Sequence, residues 1–182
     1  MALTRLGPNN STNISGINLT SQVTGTLPAA NGGTGSTTFS PGKLLQVINK
    51  RDGTYQATSG SAFVDTSLQQ AITPSSTSSK ILIMVEQKAV KASGNTGVKL
   101  RINRGLNEAN VLAQFQTIGG ETEEGTRNDF GSSAFFYLDS PNTTSSITYV
   151  TSFANYVSGT GAARVNNSSS DESSMVLMEI SA

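Results

Sequence analysis

The chain has 182 residues, and its 12 Lys and Arg residues balance its 12 Asp and Glu residues to a formal net charge of zero. This length suits one ordinary domain with an appendage, and a chain without excess positive charge lacks the basic surface that nucleic-acid phosphates require, so we expect no nucleic-acid partner. Cysteine and histidine are both absent, which excludes disulfides, thiolate metal sites and the histidine base of a serine triad, and we expect no cofactor and no enzymatic activity.

Residues 1–40 form a polar leader in which Arg5 is the only charged residue. Between positions 14 and 27, its apolar residues are spread thinly among Thr, Ser, Asn and Gly: Ile14, Ile17, Leu19, Val23 and Leu27. One copy of such a segment cannot bury enough apolar surface to offset an ordering cost of about 1–2 kcal/mol per residue. Two interpretations remain open, a disordered tail and a seam in which three copies bring these residues together around one axis.

The N-terminal sequence lacks the apolar core of a signal peptide, and we expect no encoded secretion signal. The most apolar run of the chain, Lys80–Val85, is far shorter than the roughly 20 residues that a membrane-spanning helix needs. No membrane insertion is therefore expected.

The uncharged stretch Val23–Phe39 contains several glycines and raises the question of a phosphate-binding loop. Such a loop requires the spacing G-x-x-x-x-G-K-[S/T] between a strand and a helix. Here the gap from Gly35 to Gly42 is too long, Lys43 is followed by Leu44, and no helical pattern follows. The stretch is therefore interpreted as a loop that binds no nucleotide.

From residue 41 onward, short apolar clusters recur between turn sequences such as RDG, TPSSTSS, SGNTG and DSPNTTSS. Several clusters alternate with period two, as in Val98–Arg104, where apolar residues occupy alternate positions. About ten such strands without a 3.6-residue stripe predict an all-β antiparallel sandwich for residues 41–182. The predicted strands are 43–50, 62–66, 68–73, 80–91, 98–104, 110–118, 133–139, 146–157, 162–166 and 174–181.

Aromatic residues of the second half could form a platform that stacks against sugars: Phe135, Phe136, Tyr137, Tyr149, Phe153 and Tyr156. Alternation along a strand places Phe135 and Tyr137 on one face and Phe136 on the other, so at least one of these faces is expected in the core. The core interpretation is favoured over a ligand platform, and Tyr55 is an equally good candidate for an exposed aromatic residue.

Acidic residues gather between two predicted strands, at Glu121, Glu123, Glu124 and Asp129. Carboxylate oxygens are calcium ligands, but the spacing is not that of a helical calcium loop. Paired carboxylates also serve glycoside hydrolysis, although a chain with 12 Asp and Glu residues offers many pairs by chance. A solvated loop is therefore favoured over a calcium site or a catalytic site.

The stretch LTSQVTGTLPAANGGTGSTT resembles a recurring sequence of bacteriophage tail fibres and related virion appendages. The matching residues are Gly25–Pro28, which read GTLP, and Gly32–Gly35, which read GGTG. In that family the motif joins a virion-proximal segment to a distal domain. The section Ile72–Ala89 is similar, more weakly, to distal domains of phage structural proteins, which resemble β-sandwiches that trimerise. Because the motif lies near the start of this sequence, the resemblance implies a short fibre or knob.

The resemblance implies a homotrimeric virion protein with two parts, an anchoring and trimerising segment, 1–40, and a jelly-roll-like β-sandwich knob, 41–182. It implies that the leader binds other virion proteins of a tail or a capsid, and that its apolar residues form the axial seam. Glycine permits close approach of backbones and a positive φ, so the residues implied as a hinge are Gly32, Gly33 and Gly35. The protein would be made in the host cytoplasm and incorporated into the virion.

The first functional hypothesis is a knob for attachment to the host, with a cell-surface glycan as a candidate ligand. Binding residues concentrate on loops that a scaffold holds in place, and the polar loop residues expected to face the host are Asn95, Glu121, Glu123, Glu124, Asp129, Asn166 and Asp171. The second hypothesis is a capsid decoration or head-fibre protein that stabilises or adorns the shell. A small glycan depolymerase and a non-viral carbohydrate-binding module are the remaining alternatives.

Overall fold

The computed structural model describes residues 44–91, 96–119, 128–166 and 170–181. Contacts divide the chain between Pro41 and Gly42, and all described residues belong to the second of the two units. They contain ten β-strands and no helix. The strands are β1 (Leu44–Asp52), β2 (Gln56–Thr58), β3 (Val64–Ile72), β4 (Lys80–Lys91), β5 (Val98–Arg104), β6 (Val111–Gly119), β7 (Asn128–Asp139), β8 (Ile147–Asn155), β9 (Ala163–Val165) and β10 (Ser173–Ile180).

The strands form two antiparallel sheets around a shared core. In the six-stranded sheet, β1, β10 and β4 are neighbours in that order, β7 pairs with the other edge of β4, and β9 and β2 extend from the far end of β4. The four-stranded sheet has the order β3-β8-β5-β6. Without the short β2 and β9, each connection except β5–β6 crosses between sheets, which is the eight-stranded double-sheet arrangement of a jelly roll. The predicted all-β antiparallel sandwich is confirmed.

Most strands lie where the sequence predicts them, and β4 and β5 begin and end at the predicted residues. The sequence pattern did not predict β2. It predicted two strands separated at Ser67 in place of β3, but Ser67 lies inside this one strand, whose register shifts between Asp65 and Gln69. β7 begins at Asn128, earlier than predicted, because it continues to pair with the long β4 as far as Lys91. Pairing with a neighbour thus extends β7 through a sequence that reads as a turn.

Inward-facing side chains form two apolar clusters between the sheets. The larger contains Leu68, Ile72, Ile81, Ile83, Val85, Ile102, Tyr149, Met175 and Leu177. The smaller contains Ala89, Val98, Leu100, Phe153, Ala163 and Val165. The alternation of β5 is confirmed, since its apolar side chains are fully buried while Lys99 and Arg101 are half-buried.

A layer of buried polar side chains separates the two apolar clusters. On β4, Gln87 follows residues of the larger cluster and precedes the smaller one, and Thr151 has the equivalent place on β8. Thr151 Oγ1 donates to Gln87 Oε1 at 2.8 Å, and Gln87 Nε2 donates to Ser173 Oγ at 2.7 Å. Thr66 Oγ1 lies 2.6 Å from Thr151 Oγ1. Hydrogen bonds therefore link the two sheets through the middle of the core.

Replacing Thr151 by Val is expected to lower the free energy of unfolding by about 2 kcal/mol, because Gln87 Oε1 loses its donor while the shape of the side chain is kept. Urea denaturation of the wild type and the variant measures this difference. Thr148→Val is the control, since Thr148 lies on the same strand and its side chain makes no hydrogen bond with the residues that the structure describes, and we expect a change within about 0.5 kcal/mol. An equal loss in the free energy of unfolding for the two variants would contradict a stabilising role of the polar layer.

Candidate functional site

Most residues predicted to act in assembly or host contact fall outside the described part of the chain. The seam residues among them are Ile14, Ile17, Leu19, Val23 and Leu27, and the hinge residues are Gly32, Gly33 and Gly35. The loop residues among them are Asn95, Glu121, Glu123 and Glu124. Their roles stay predictions.

Three of the predicted host-contact residues lie in the described ranges, and each has a different setting. Asp129 belongs to β7, where it is opposite Val90 of β4, so it lies in a strand and not in the predicted loop. Asp171 is half-buried in the bend that precedes β10. Asn166 directly follows β9 and is only 1% exposed.

The placement of Asn166 corrects the prediction that its side chain faces a host. Asn166 Nδ2 donates to the carbonyl oxygens of Asp52 at 3.0 Å and Thr54 at 3.1 Å. Its Oδ1 accepts a hydrogen bond from Ser173 Oγ at 2.5 Å, which joins it to the polar layer. Its φ of 51° lies in the left-handed region, which Asn adopts more readily than most residues. These contacts make Asn166 a structural residue.

Replacing Asn166 by Ala is expected to lower the free energy of unfolding by about 2–3 kcal/mol, because its hydrogen bonds are lost and Ala is held at a positive φ. Asn166→Gly separates the two causes, since Gly relieves the backbone strain without restoring the hydrogen bonds, and we expect its cost to be smaller. Urea denaturation measures both values. An Asn166→Ala variant whose free energy of unfolding equals that of the wild type would make Asn166 a candidate for surface contact again.

A buried charged cluster joins β5, β7 and β8. Tyr149 OH donates to Asp139 Oδ2 at 2.6 Å, and Arg104 Nη1 lies 3.3 Å from the same oxygen. Burial raises the pKa of Tyr149 far above its usual range, and the hydrogen bond and charge of Asp139 raise it further. The phenol therefore stays a neutral donor, and because Tyr149 is fully buried, the cluster is suited to locking strands together and not to proton transfer with a substrate.

The aromatic residues divide between core and surface as alternation predicts. Phe135 and Tyr137 pack against the larger apolar cluster, and Tyr149 and Phe153 are fully buried. The core interpretation is confirmed for these four residues. Among the residues whose exposure the structure describes, the exposed aromatic ones are Phe136 at 62%, Tyr55 at 48% and Tyr156 at 36%.

The outer face of the six-stranded sheet is apolar across four strands, β1, β10, β4 and β7. The cross-strand register aligns two rows of side chains, one of Asn49, Val176, Met84 and Phe136 and the other of Val47, Met178, Leu82 and Leu138. Seven of these eight residues are apolar and none is charged. Phe136, Val47 and Leu138 are 62%, 52% and 49% exposed. These eight residues are here named the apolar face.

A groove of ≈ 330 Å³ lies on the apolar face beside Phe136. It is lined by Met84, Val85, Glu86, Ser132, Ala134, Phe136, Ser174 and Val176. At its polar end, Ser132 Oγ donates to Glu86 Oε1 at 2.6 Å, and Lys88 Nζ lies 3.1 Å from the same oxygen. These two contacts lower the pKa of Glu86. Glu86 is the only titratable residue that lines the groove, and its carboxylate is already paired.

The outer face of the four-stranded sheet is polar by contrast. A comparable row crosses β3, β8, β5 and β6 at Asp65, Ser152, Arg101 and Gln114. Arg101 Nη1 pairs with Glu108 Oε1 at 2.9 Å, and its guanidinium carbon lies 3.6 Å from the centre of the Phe63 ring. Antiparallel sheets commonly keep one face solvated. The six-stranded sheet departs from that pattern by exposing apolar side chains, and in the four-stranded sheet Ser152 of the polar row is fully buried.

Sequence reasoning missed the apolar face, although β4 contained a signal for it. Every residue of Ile81–Val85 is apolar, so both faces of this strand are apolar, whereas a strand with one solvated face alternates. In β10, likewise, Val176 and Met178 are apolar on the side opposite the core. Only the register between strands shows that these positions are neighbours.

Within the described ranges, no group of three or more acidic side chains is placed to hold a metal ion. The acidic stretch considered for calcium lies outside those ranges apart from Asp129 in β7. No helix long and apolar enough to cross a membrane occurs in the part of the chain that the structure describes.

No family model matches the chain, and no curated protein matches it significantly. Among solved structures, the chain is similar to the VP2 subviral particle of infectious bursal disease virus, with 12% identity and a TM-score of 0.46 over 75% of this chain and 32% of that chain. It is also similar to the structure of the Gx strain of infectious bursal disease virus, with 13% identity and a TM-score of 0.41 over 75% of this chain and 37% of that chain. The chain thus spans about a third of the length of these solved chains. Similarity at this level assigns neither a partner nor an activity.

Proposed function

We propose that this chain is a structural protein of a bacteriophage virion, a homotrimeric fibre that displays its β-sandwich for attachment to the host surface. The observation that carries the proposal is the segment Gly25–Gly35, whose GTLP and GGTG elements resemble the fibre motif and precede the first strand of the sandwich. In this proposal, residues 1–40 bind other virion proteins and bring three chains together, and residues 41–182 form the knob.

The loops at one end of the sandwich support a role in display, because a surface suited to recognition is held in place by a rigid scaffold. Asn155, at the end of β8, is fully buried. Its Nδ2 donates to the carbonyl oxygens of Val157 at 2.9 Å and Thr160 at 3.1 Å. The same nitrogen donates to Ser59 O at 3.2 Å, and Thr96 Oγ1 donates to Asn155 Oδ1 at 2.6 Å. One side chain therefore fixes three loops, and a host cell-surface glycan is the ligand class proposed for such a surface.

Immunogold labelling of the particles tests the virion role. An antibody raised against the full chain is expected to label the tail or its fibres on particles of the phage that encodes it. Label over the shell would instead support the capsid decoration hypothesis. Intact and disrupted particles that both remain unlabelled would overturn the proposal.

Adsorption of particles to host cells tests the attachment role separately. Cells incubated first with an excess of the purified full chain are expected to adsorb fewer particles, since the soluble knob occupies the receptor. Light scattering of the same preparation is expected to give the mass of three chains. A stable monomer at micromolar concentration contradicts the homotrimer, and unchanged adsorption contradicts attachment by this chain.

A further inference from the structure

The apolar face has the size of a protein–protein interface. Taken with the neighbouring Leu44 and Ala134, its exposed and half-buried side chains present on the order of 500–700 Å² of surface. This is at or above the roughly 300–600 Å² of the largest apolar patch on a typical monomer, and patches of that size often have a function. Leaving such surface in water costs about 25 cal/mol per Å². Each partner in a standard interface contributes about 800 Å², so the face is close to the area that a specific contact needs.

The charges around the apolar face favour a second copy of the same chain as its occupant. The two central rows carry no charge, so two such faces meet without repulsion between like charges. At one border, opposite charges already pair within the chain, Arg51 Nη2 with Glu172 Oε2 at 2.6 Å and Lys88 Nζ with Glu86 Oε1 at 3.1 Å. The charges of this border cancel, and the opposite border carries one exposed charge, Lys80. Such a periphery does not select a strongly charged partner.

The shape of the apolar face is also suited to self-association. It carries both a protruding group, the exposed ring of Phe136, and a recess, the groove lined in part by Met84, Ala134 and Val176. Copies that meet around a symmetry axis need complementary features on one chain. An exposed aromatic side chain in apolar surroundings with charged pairs at the border also matches the usual anatomy of an interface.

We propose that the apolar face is a contact between copies of this chain, with Phe136 as its central aromatic anchor. The inference goes beyond the proposed virion role, because it assigns an assembly contact to the sandwich itself and not to the leader alone. It applies equally to a fibre and to a protein of the shell.

Analytical ultracentrifugation of the full chain over a wide range of protein concentration tests this contact. The wild type is expected to form an oligomer that dissociates on dilution, and Phe136→Gln is expected to raise the dissociation constant at least about thirtyfold. Leu106→Gln is the matched control, because Leu106 is 46% exposed but lies in the loop between β5 and β6 of the other sheet. We expect its dissociation constant to equal that of the wild type.

A fluorescent label reports directly whether the apolar face is covered. The chain contains no cysteine, so Asn49→Cys, on the apolar face, and Leu106→Cys each provide a single attachment site. Shielding from a soluble quencher at position 49 alone, lost on dilution, is the expected result. A label shielded in a monomer overturns the proposal, since residues 1–43 of the same chain would then cover the face. An oligomer unaffected by Phe136→Gln also overturns it, but leaves intact a homotrimer assembled through the leader.

Discussion

Replacing Glu179 by Gln is expected to lower the free energy of unfolding by about 3 kcal/mol at neutral pH. Glu179 lies on β10 and is only 1% exposed, an unusual setting for a carboxylate. Burial raises the pKa of this carboxyl, but hydrogen bonds from Ser75, Ser79 and Gln46 outweigh burial and hold the pKa at about 2. The folded protein therefore depends on the charged form of this side chain.

The geometry around Glu179 explains why the amide is a poor substitute. Ser75 donates two hydrogen bonds to Oε1, from its backbone nitrogen and from Oγ, both at 2.6 Å. Gln46 Nε2 donates to Oε2 at 2.6 Å and to the carbonyl oxygen of Thr73 at 2.8 Å. The carboxylate thus ties the loop between β3 and β4 to β1 and β10. A Gln side chain offers one acceptor oxygen where the site uses two, and its amide group meets donors.

The stability that Glu179 provides is expected to depend on pH in one direction. Its folded-state pKa of about 2 lies below the ordinary value of 4.5, so the unfolded state binds more protons between these values and stability rises with pH across that window. The difference between wild type and Glu179→Gln should be complete above about pH 5, less than half by about pH 3 and nearly absent at about pH 2. Urea denaturation at a series of pH values measures this profile.

Glu172→Gln is the control for a general effect of removing one negative charge. Glu172 pairs with Arg51 at the surface, where their side chains are 39% and 66% exposed, and such pairs contribute little to stability. We expect its cost to stay within about 1 kcal/mol at every pH. If the loss in free energy of unfolding caused by Glu179→Gln is the same at neutral and acidic pH, the charge of the carboxylate is not the cause of that loss.

The strands that the sequence predicted best are those whose own residues specify them. β4 and β5 carry long apolar or alternating patterns between clear turn residues, so both ends could be placed from the sequence alone. β2 could not, because Gln56–Thr58 is three residues long and exists as a strand through its pairing with β9. Local propensity contains no information on a partner that lies more than a hundred residues further along the chain.

The candidate site was harder to predict than the fold, because burial and neighbourhood depend on register. Asn166 lies in a sequence whose composition is typical of a loop tip, and only its tertiary contacts with Asp52 and Ser173 show that it is buried. Phe136 and Met84 are far apart in sequence, and the pairing of β4 with β7 brings them side by side. Alternation predicted that Phe136 faces away from Phe135, but the extent of the apolar face could be predicted only from the order of the strands.

Replacing Phe153 by Ala is expected to lower the free energy of unfolding of the monomer by about 3–5 kcal/mol. Phe153 is fully buried in the smaller apolar cluster and lies opposite Leu100 where β8 pairs with β5. Removing the ring leaves a cavity between two sheets whose backbones are held by their ladders, so neighbouring side chains cannot fill it. Urea denaturation at a protein concentration low enough to give monomers measures this cost.

Phe136→Ala makes the same chemical change on the apolar face and separates folding from assembly. Because the ring of Phe136 is 62% exposed, its removal leaves no cavity, and we expect the stability of the monomer to change by about 0.5 kcal/mol or less. Association stabilises the folded state by an amount that grows with the logarithm of protein concentration, so the thermal midpoint of the wild type should rise with protein concentration. Phe153→Ala should lower the midpoint but keep that rise, and Phe136→Ala should make the rise smaller. A rise in Phe136→Ala equal to that of the wild type would place the contact between copies elsewhere on the chain.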